Sequence, residues 1–509
     1  MTKPAGLLSV DIGTESGRVA FLDLEGRVLA SSSRPYALRC PRPGWAEQDP
    51  ELWWESTVEN IRDVLATLSG AQVLAVGVGG QMHATVPVDR SGRLVSRDAL
   101  LWCDKRSADQ CAAVAAQADE GEMLRLTGNA PVPAWTGFKL RWLKENQQEV
   151  YDRAEAFLTC KDYLNLRLTG ERYTDYSEAS GTYLFDARTR RWSPELCDLL
   201  GVDPSKLPPI VESSSVIGSV TAEAAKVTGL PKGTPVVCGG GDMMCLLLGA
   251  GITLPGQACD VTGTAADVSV YVPQPLYDRR LMHLHHVIPG GGWISFGILD
   301  AGGGSYKWFR DTFAAAEVAE ARAAGISAYE LLNRKAQDVP AGAEGLFYLP
   351  YLLGERTLGT SDSRGVFFGL TPRHTLGHCV RAIMEGVAYD LRQSLDLIEA
   401  EGIRIEEVRA VGGGARSPLW SSIKADVYRK TIVTLKNFEG GVVGAAILAG
   451  LGVGVYKDAS EAVQRVVSLE ARYEPDAERA AHYERAYRVF KSLHDGLQPL
   501  FKEMAALER

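Results

Sequence analysis

Residues 7–23 read LLSVDIGTESGRVAFLD, and this stretch decides the fold. Two runs of β-formers, Leu7 to Asp11 and Arg18 to Asp23, flank a turn. A second turn at Leu24 to Arg27 leads into a third run, Val28 to Ser32, so the segment predicts an antiparallel meander. The same grammar returns about 250 residues later, where Ala258 to Val261, a Gly263-Thr264 turn and Val268 to Val272 follow one another. Asp11-Ile12-Gly13-Thr14 and Val261-Thr262-Gly263-Thr264 make the same strand-to-turn step. A repeat at that separation predicts an α/β protein of two similar lobes, each opening with a strand-turn-strand unit.

Outward from the first meander, Asp49 and Pro50 supply a helix cap and first residue, and Trp54, Val58, Ile61, Leu65 and Leu68 follow on one helical face. A buried strand, Val73 to Val78, then runs into Gly79, Gly80, Gln81, Met82 and His83. The turn-rich GITLPG, residues 251–256, marks a boundary between lobes over 1–253 and 254–455. After Glu461 the chain is charged and helical in pattern, so residues 456–509 read as closing helices.

Composition narrows the function classes. At 509 residues the chain exceeds one ordinary core, and 46% hydrophobic with 23% charged residues is a globular balance. The formal charge is −9 and no Lys/Arg-rich run is present, which argues against nucleic acid or a membrane surface as partner. Nine scattered cysteines without a CxxC pair predict reduced thiols in a cytoplasmic protein rather than a disulfide framework or a zinc site. No apolar run approaches the roughly 18 to 20 residues of a membrane span.

Five segments could carry chemistry. The turns holding Gly13-Thr14 and Gly263-Thr264 offer backbone N–H groups and a hydroxyl to a phosphate. One such turn is ordinary in a hairpin; two at equivalent places in two lobes can face each other across a cleft. Asp11 would sit beside those phosphates, where a carboxylate needs Mg²⁺ between. The buried run Val236 to Asp242 ends in three glycines and a carboxylate, which places Asp242 at a strand end facing a crevice, as a general base or a turn cap. Val408 to Val411 lead into Gly412-Gly413-Gly414-Ala415-Arg416-Ser417 and a helix from Pro418, a setting in which nucleotide can lie against backbone. Gly302-Gly303-Gly304-Ser305 is a further glycine-rich turn before a helix.

In order along the chain, these motifs resemble the FGGY family of carbohydrate kinases, most closely its xylulokinase branch. The likeness runs from Asp11 to about Leu451. It takes in Trp45 to Pro50, Gly80 to His83, Trp102 to Arg106, the KLRWLKEN segment 139–146 and Lys161 to Leu164. The later half adds Gly241-Asp242, Gly263-Thr264, Gly354 to Thr357, GVFFGL at 365–370 and Gly412 to Ser417. The resemblance implies two actin-like, ribonuclease-H-like lobes closing over ATP and a small sugar, with D-xylulose phosphorylated on its terminal hydroxyl. It implies Asp242 as catalytic base, also touching substrate, and Asp11 as the Mg²⁺-side carboxylate. Gly263, Thr264, Gly303, Gly412, Gly413, Gly414 and Ala415 would contact the nucleotide, and Gln81, Met82 and His83 the sugar. Two departures bear on the pocket floor: Asp242-Met243-Met244-Cys245 where the family has Asn and small residues, and Ala265-Ala266 where hydroxyl residues are common.

Two other readings stand beside this one. A family kinase could instead take ribulose, another ketose, a polyol or an aldonate, since pocket specificity rests on a few hydrogen bonds. An actin-like ATPase without kinase activity would need no Asp242 and no Gln81-Met82-His83 pocket. The sequence admits a homodimer without specifying one.

Overall fold

The computed structural model describes residues 4–68, 70–436 and 439–507. The predicted meander is present as β1 (Ala5–Ile12), β2 (Ser16–Leu22) and β3 (Val28–Pro35), paired antiparallel in order. β4 (Gln72–Gly80) runs parallel to β1 on its other side. β5 (Val216–Ser219), β6 (Pro235–Val237) and the short β7 (Gly240–Gly241) complete a sheet of order β5-β6-β4-β1-β2-β3, with β7 also on β4.

The second half repeats this plan. β8 (Ala258–Thr262) and β9 (Ala266–Val272) form the antiparallel pair, β10 (Met282–His285) and β11 (Trp293–Leu299) extend it, and β12 (Glu407–Val411) and β13 (Thr431–Leu435) add in parallel. β3-β2-β1-β4-β6 of one sheet therefore corresponds to β11-β9-β8-β12-β13 of the other. Two sheets with the same order and the same parallel and antiparallel senses are the two similar lobes expected from the repeated turn, and the ribonuclease-H-like lobes that the resemblance implies.

Helices cover both faces of the sheets. α1 (Pro50–Thr67) starts where predicted, with the Asp49 carboxylate accepting from the Glu51 N–H. It buries Trp53, Trp54, Val58, Ile61 and Val64 against one face of the first sheet. α2 (Cys160–Thr169) and the short α3 (Tyr176–Ser180) follow, and α4 (Asp242–Gly249) begins at the carboxylate expected to end a strand. The correction has a physical cause. β6 stops at Val237, Gly239 turns with φ 72°, and the two residues of β7 then hand the chain to a helix. In the second lobe α5 (Gly302–Phe313) takes in the glycines expected to precede it as its first turn. α6 (Ala328–Gln337), α7 (Leu376–Ala400) and α8 (Pro418–Tyr428) follow.

Two features lay outside the sequence reading. α9 (Gly440–Gly452), from the C-terminal half, packs against α4 and the first sheet, and its Val442, Ala445, Ala446 and Ala449 share a core with Leu7, Ala20 and Ala75. Residues 456–509 are not helices alone: β14 (Leu469–Tyr473) pairs antiparallel with β13 at the edge of the second sheet. Only then does α10 (Ala477–Leu507) close the lobe, burying Tyr483, Tyr487 and Phe490. Among the described residues no helix is long and apolar enough to cross a membrane.

Candidate active site

The first turn, between β1 and β2, is already well engaged. The Gly13 N–H donates to the Ser16 carbonyl at 3.0 Å, and the Gly13 carbonyl accepts the Tyr36 hydroxyl at 2.5 Å. The Thr14 hydroxyl donates to Gln81 Oε1 at 3.3 Å and accepts from Trp102 Nε1 at 3.0 Å. Gln81 Nε2 in turn donates to Gln48 Oε1 at 2.8 Å. Gln81 is therefore tied beneath the turn with Thr14 and is 1% exposed.

Asp11, near the end of β1, and Asp242, at the start of α4, lie close enough for the Asp11 charge to act on Asp242. Asp11 Oδ1 is buried with no hydrogen-bond partner, and burial raises its carboxyl to about 6 despite the opposing charge of Arg18. Burial first, and then the Asp11 charge, raise Asp242 to about 7. Asp242 Oδ1 accepts from the Met243 N–H at 2.7 Å. The first turn of α9 comes close enough that a Cβ on Gly441 would lie 2.4 Å from Asp11 Oδ2, so only glycine admits the carboxylate there. Two buried carboxyls raised toward neutrality, one of them partly by the charge of the other, are candidates for proton transfer.

Met82 and His83 complete this side. A Cβ on Gly241 would meet the Met82 thioether at 2.6 Å, so Met82 lies directly against the residue that precedes Asp242. His83 has a left-handed φ of 63°, a strained choice for a bulky residue and one that clusters at functional sites. Its N–H donates to Glu178 Oε2 at 3.2 Å and its carbonyl accepts from Lys139 Nζ at 2.7 Å. The ring meets Trp135 edge-on at 5.0 Å, and Nδ1 has no hydrogen-bond partner. Burial, aided by Lys139, lowers His83 to about 3, so the imidazole is neutral at pH 7 and can donate or accept toward a hydroxyl.

The other glycine turns meet in a separate cleft of about 1030 Å³, lined wholly by residues 262–422. Gly263, Thr264, Gly303, Gly413 and Gly414 line it; Gly412 and Ala415 do not. Gly412 instead packs behind the wall, where a Cβ would sit 2.7 Å from the Thr262 carbonyl. The N–H groups of Gly303 and Gly304 donate to the carbonyls of Gly263 and Thr264, both at 2.9 Å, which locks the turn to the start of α5. Beneath it Lys424 Nζ holds Asp260 Oδ1 and Thr262 Oγ1, each at 2.6 Å. Tyr306, Tyr329 and Trp420 give aromatic walls, with the Tyr306 hydroxyl donating to Asn333 Oδ1 at 2.9 Å. An aromatic-lined cleft beside glycine backbone suits a nucleoside polyphosphate.

The sequence reading missed Lys139, Trp135, Glu178 and the aromatic walls. Lys139 is 0% exposed, and burial lowers it to about 7. It opens the KLRWLKEN segment, so a signal was present, but a lysine in a helix gives no sign of burial. Among the described residues no group of three or more His, Cys, Asp or Glu is placed to hold a metal ion. A cation at Asp11 would find one unpartnered carboxylate oxygen, with Asp242 nearby, and would complete its shell from water and phosphate, which is how Mg²⁺ is commonly held.

Comparison with known proteins agrees along nearly the whole chain. The model of the FGGY family of carbohydrate kinases, N-terminal domain, matches residues 7–249, and that of the C-terminal domain matches residues 261–453. Xylulose kinase of Bacillus subtilis (strain 168) is 31% identical over 492 residues, 96% of each chain. The crystal structure of xylulose kinase from Rhodospirillum rubrum superposes with a TM-score of 0.88 at 32% identity, covering 97% of this chain and 99% of that one. Gluconate kinase from Lactobacillus acidophilus superposes with a TM-score of 0.89 at 26% identity over 98% and 99%.

Proposed function

The chain belongs to the FGGY family of carbohydrate kinases, and from that premise we propose that it transfers the terminal phosphoryl group of ATP to O5 of D-xylulose. The observation that carries this reading is Asp242. It is a carboxyl raised to about 7, with Asp11 on one side and Met82 packed against its neighbouring glycine on the other. As base it takes the proton of the sugar hydroxyl while that oxygen attacks phosphorus and ADP leaves. Met82 lies along the carbon chain and His83 bonds a hydroxyl. Gly263, Thr264, Gly303, Gly413 and Gly414 contact the nucleotide, Gly412 and Ala415 support it from behind, and Gly13 and Thr14 face its phosphates. Asp11 would hold Mg²⁺, which when bound neutralises phosphate charge.

Residues 1–253 then form the sugar side and 254–455 the nucleotide side, with α9 packed on the first sheet; of the remainder, Tyr456, Ala459 and Ala462 also pack on the first lobe, while β14 and α10 close the second. Nine cysteines, all free, support a cytoplasmic setting.

The test is a coupled ADP-release assay across pentuloses, hexuloses, polyols and aldonates, with D-xylulose the best substrate. Brisk turnover of an aldonate with D-xylulose inert would replace the substrate, a reading that the superposition on gluconate kinase keeps in play. His83→Ala should lower kcat/KM for the sugar by about 1 to 3 kcal/mol and leave sugar-free ATP hydrolysis unchanged. An unaltered sugar profile would remove His83 from the pocket.

The nucleotide side has its own check. A Cβ on Gly303 would lie 2.3 Å from the Gly263 carbonyl, so Gly303→Ala must displace the locked turn. Overpacking of this kind is worth about 1 to 3 kcal/mol, and we expect calorimetric ATP affinity to weaken by about tenfold. Wild-type affinity would take the turn out of the nucleotide site.

A further inference from the structure

Three of the five residues of α3 reach three separate parts of the molecule through their side chains. Ser177 Oγ accepts the N–H of Gly241, the residue immediately before Asp242, at 2.9 Å. Glu178 Oε2 accepts the His83 N–H at 3.2 Å, on the sugar side. Ser180 Oγ accepts the His285 N–H at 2.8 Å, on β10 of the other lobe.

The Ser177 hydroxyl is engaged on both sides. It donates to Asp175 Oδ2 at 2.6 Å, which turns its lone pairs toward Gly241. That same Asp175 oxygen also accepts from the Ser177 N–H at 3.0 Å and from Ser213 Oγ at 2.8 Å. Asp175 Oδ1 lies 3.1 Å from Lys161 Nζ, which pairs with Asp162 Oδ1 at 2.6 Å. Lys161, Asp162, Asp175 and Ser177 are all 0% exposed, and a buried, charge-anchored network of this kind is rigid.

The segment it serves cannot hold itself. Gly239, Gly240 and Gly241 have no side chains to pack, and β7 contributes only two residues of ladder. Two further bonds, Asn165 Nδ2 to the Cys238 carbonyl at 2.7 Å and the Gly239 N–H to the Ser213 carbonyl at 2.8 Å, fix its start. Ser177 fixes its end, one peptide from the base.

We infer that Ser177 is a positioning residue for Asp242, with the Asp175–Lys161 pair orienting its hydroxyl. The inference rests on the proposed role of Asp242 as the base. Displacement of a catalytic group by about 1 Å costs roughly 10²-fold, so loss of the hydroxyl acts on kcat.

The experiment is steady-state kinetics of full-length Ser177→Ala on the best sugar of the panel, together with its unfolding midpoint. We expect kcat to fall about 10- to 100-fold, with KM for ATP and sugar within about twofold. In an Asp242→Asn background the same change should lower kcat no further, because the group it positions is gone. Unchanged kcat in the single variant, or a fall in kcat accompanied by weaker substrate binding and a lower midpoint, overturns the inference; so does an additive loss in the double variant. A wild-type protein inert toward the whole panel defeats the kinase reading itself, which separates the two failures.

Discussion

Asp242→Asn is expected to lower kcat by about 10² to 10⁴ while ATP affinity stays near wild type, because the amide keeps the shape of the side chain and cannot accept a proton. The pH dependence of the wild type follows from the same group. The base must be ionised to act, and burial with the Asp11 charge raises it to about 7, so kcat/KM should fall on the acid side of about pH 7. The variant should lose that limb along with its rate. Stability moves the other way. A carboxyl whose folded pKa lies above its unfolded value favours the folded state fully at low pH, and that contribution is lost as pH rises from about 3.8 to about 7. Asp242→Asn removes the ionised form, so its Tm should exceed wild type at pH 8 and approach it at pH 4. Near wild-type turnover would remove Asp242 from the role of base, and a Tm gap that did not close with acid would remove burial as the cause of its raised pKa.

What the sequence made legible is local. The meander and its repeat were readable because turn residues and short β-rich runs act within a few positions. The Asp49 cap and Pro50 were readable for the same reason. Long-range choices left no mark. The 440–452 helix is apolar and small-residue throughout, which says that it is buried but not that it crosses to the first sheet, where Gly444 abuts the Cys245 carbonyl. β14 is a half-exposed edge strand, LEARY, whose charged residues read as a continuation of the charged tail. Asp242 reads from the sequence as a strand end, because the hand-over from β7 to α4 depends on pairing with β4, far away in sequence. Ser177 and Glu178 carry no motif signal at all. Their importance lies in which backbone N–H groups they meet, and only the folded chain shows that.

Asp11→Asn should separate the two tasks that one carboxylate is asked to perform. Its Oδ1 is buried without a partner, an arrangement that costs roughly 1 to 3 kcal/mol and is explained if a cation or its water occupies that side when substrate is bound. The amide removes the negative charge, so the Mg²⁺ concentration for half-maximal activity should rise by about tenfold or more, and calorimetric binding of ADP should lose most of its dependence on Mg²⁺. The same charge is one of the causes that raise Asp242. Its removal should therefore move the acid limb of kcat/KM to lower pH, while burial, the larger cause, keeps it above the ordinary carboxylate range. A metal-side carboxylate predicts both shifts in one variant. An unchanged Mg²⁺ requirement would take Asp11 away from the cation, and a limb that stayed in place would show that Asp242 does not sense the Asp11 charge.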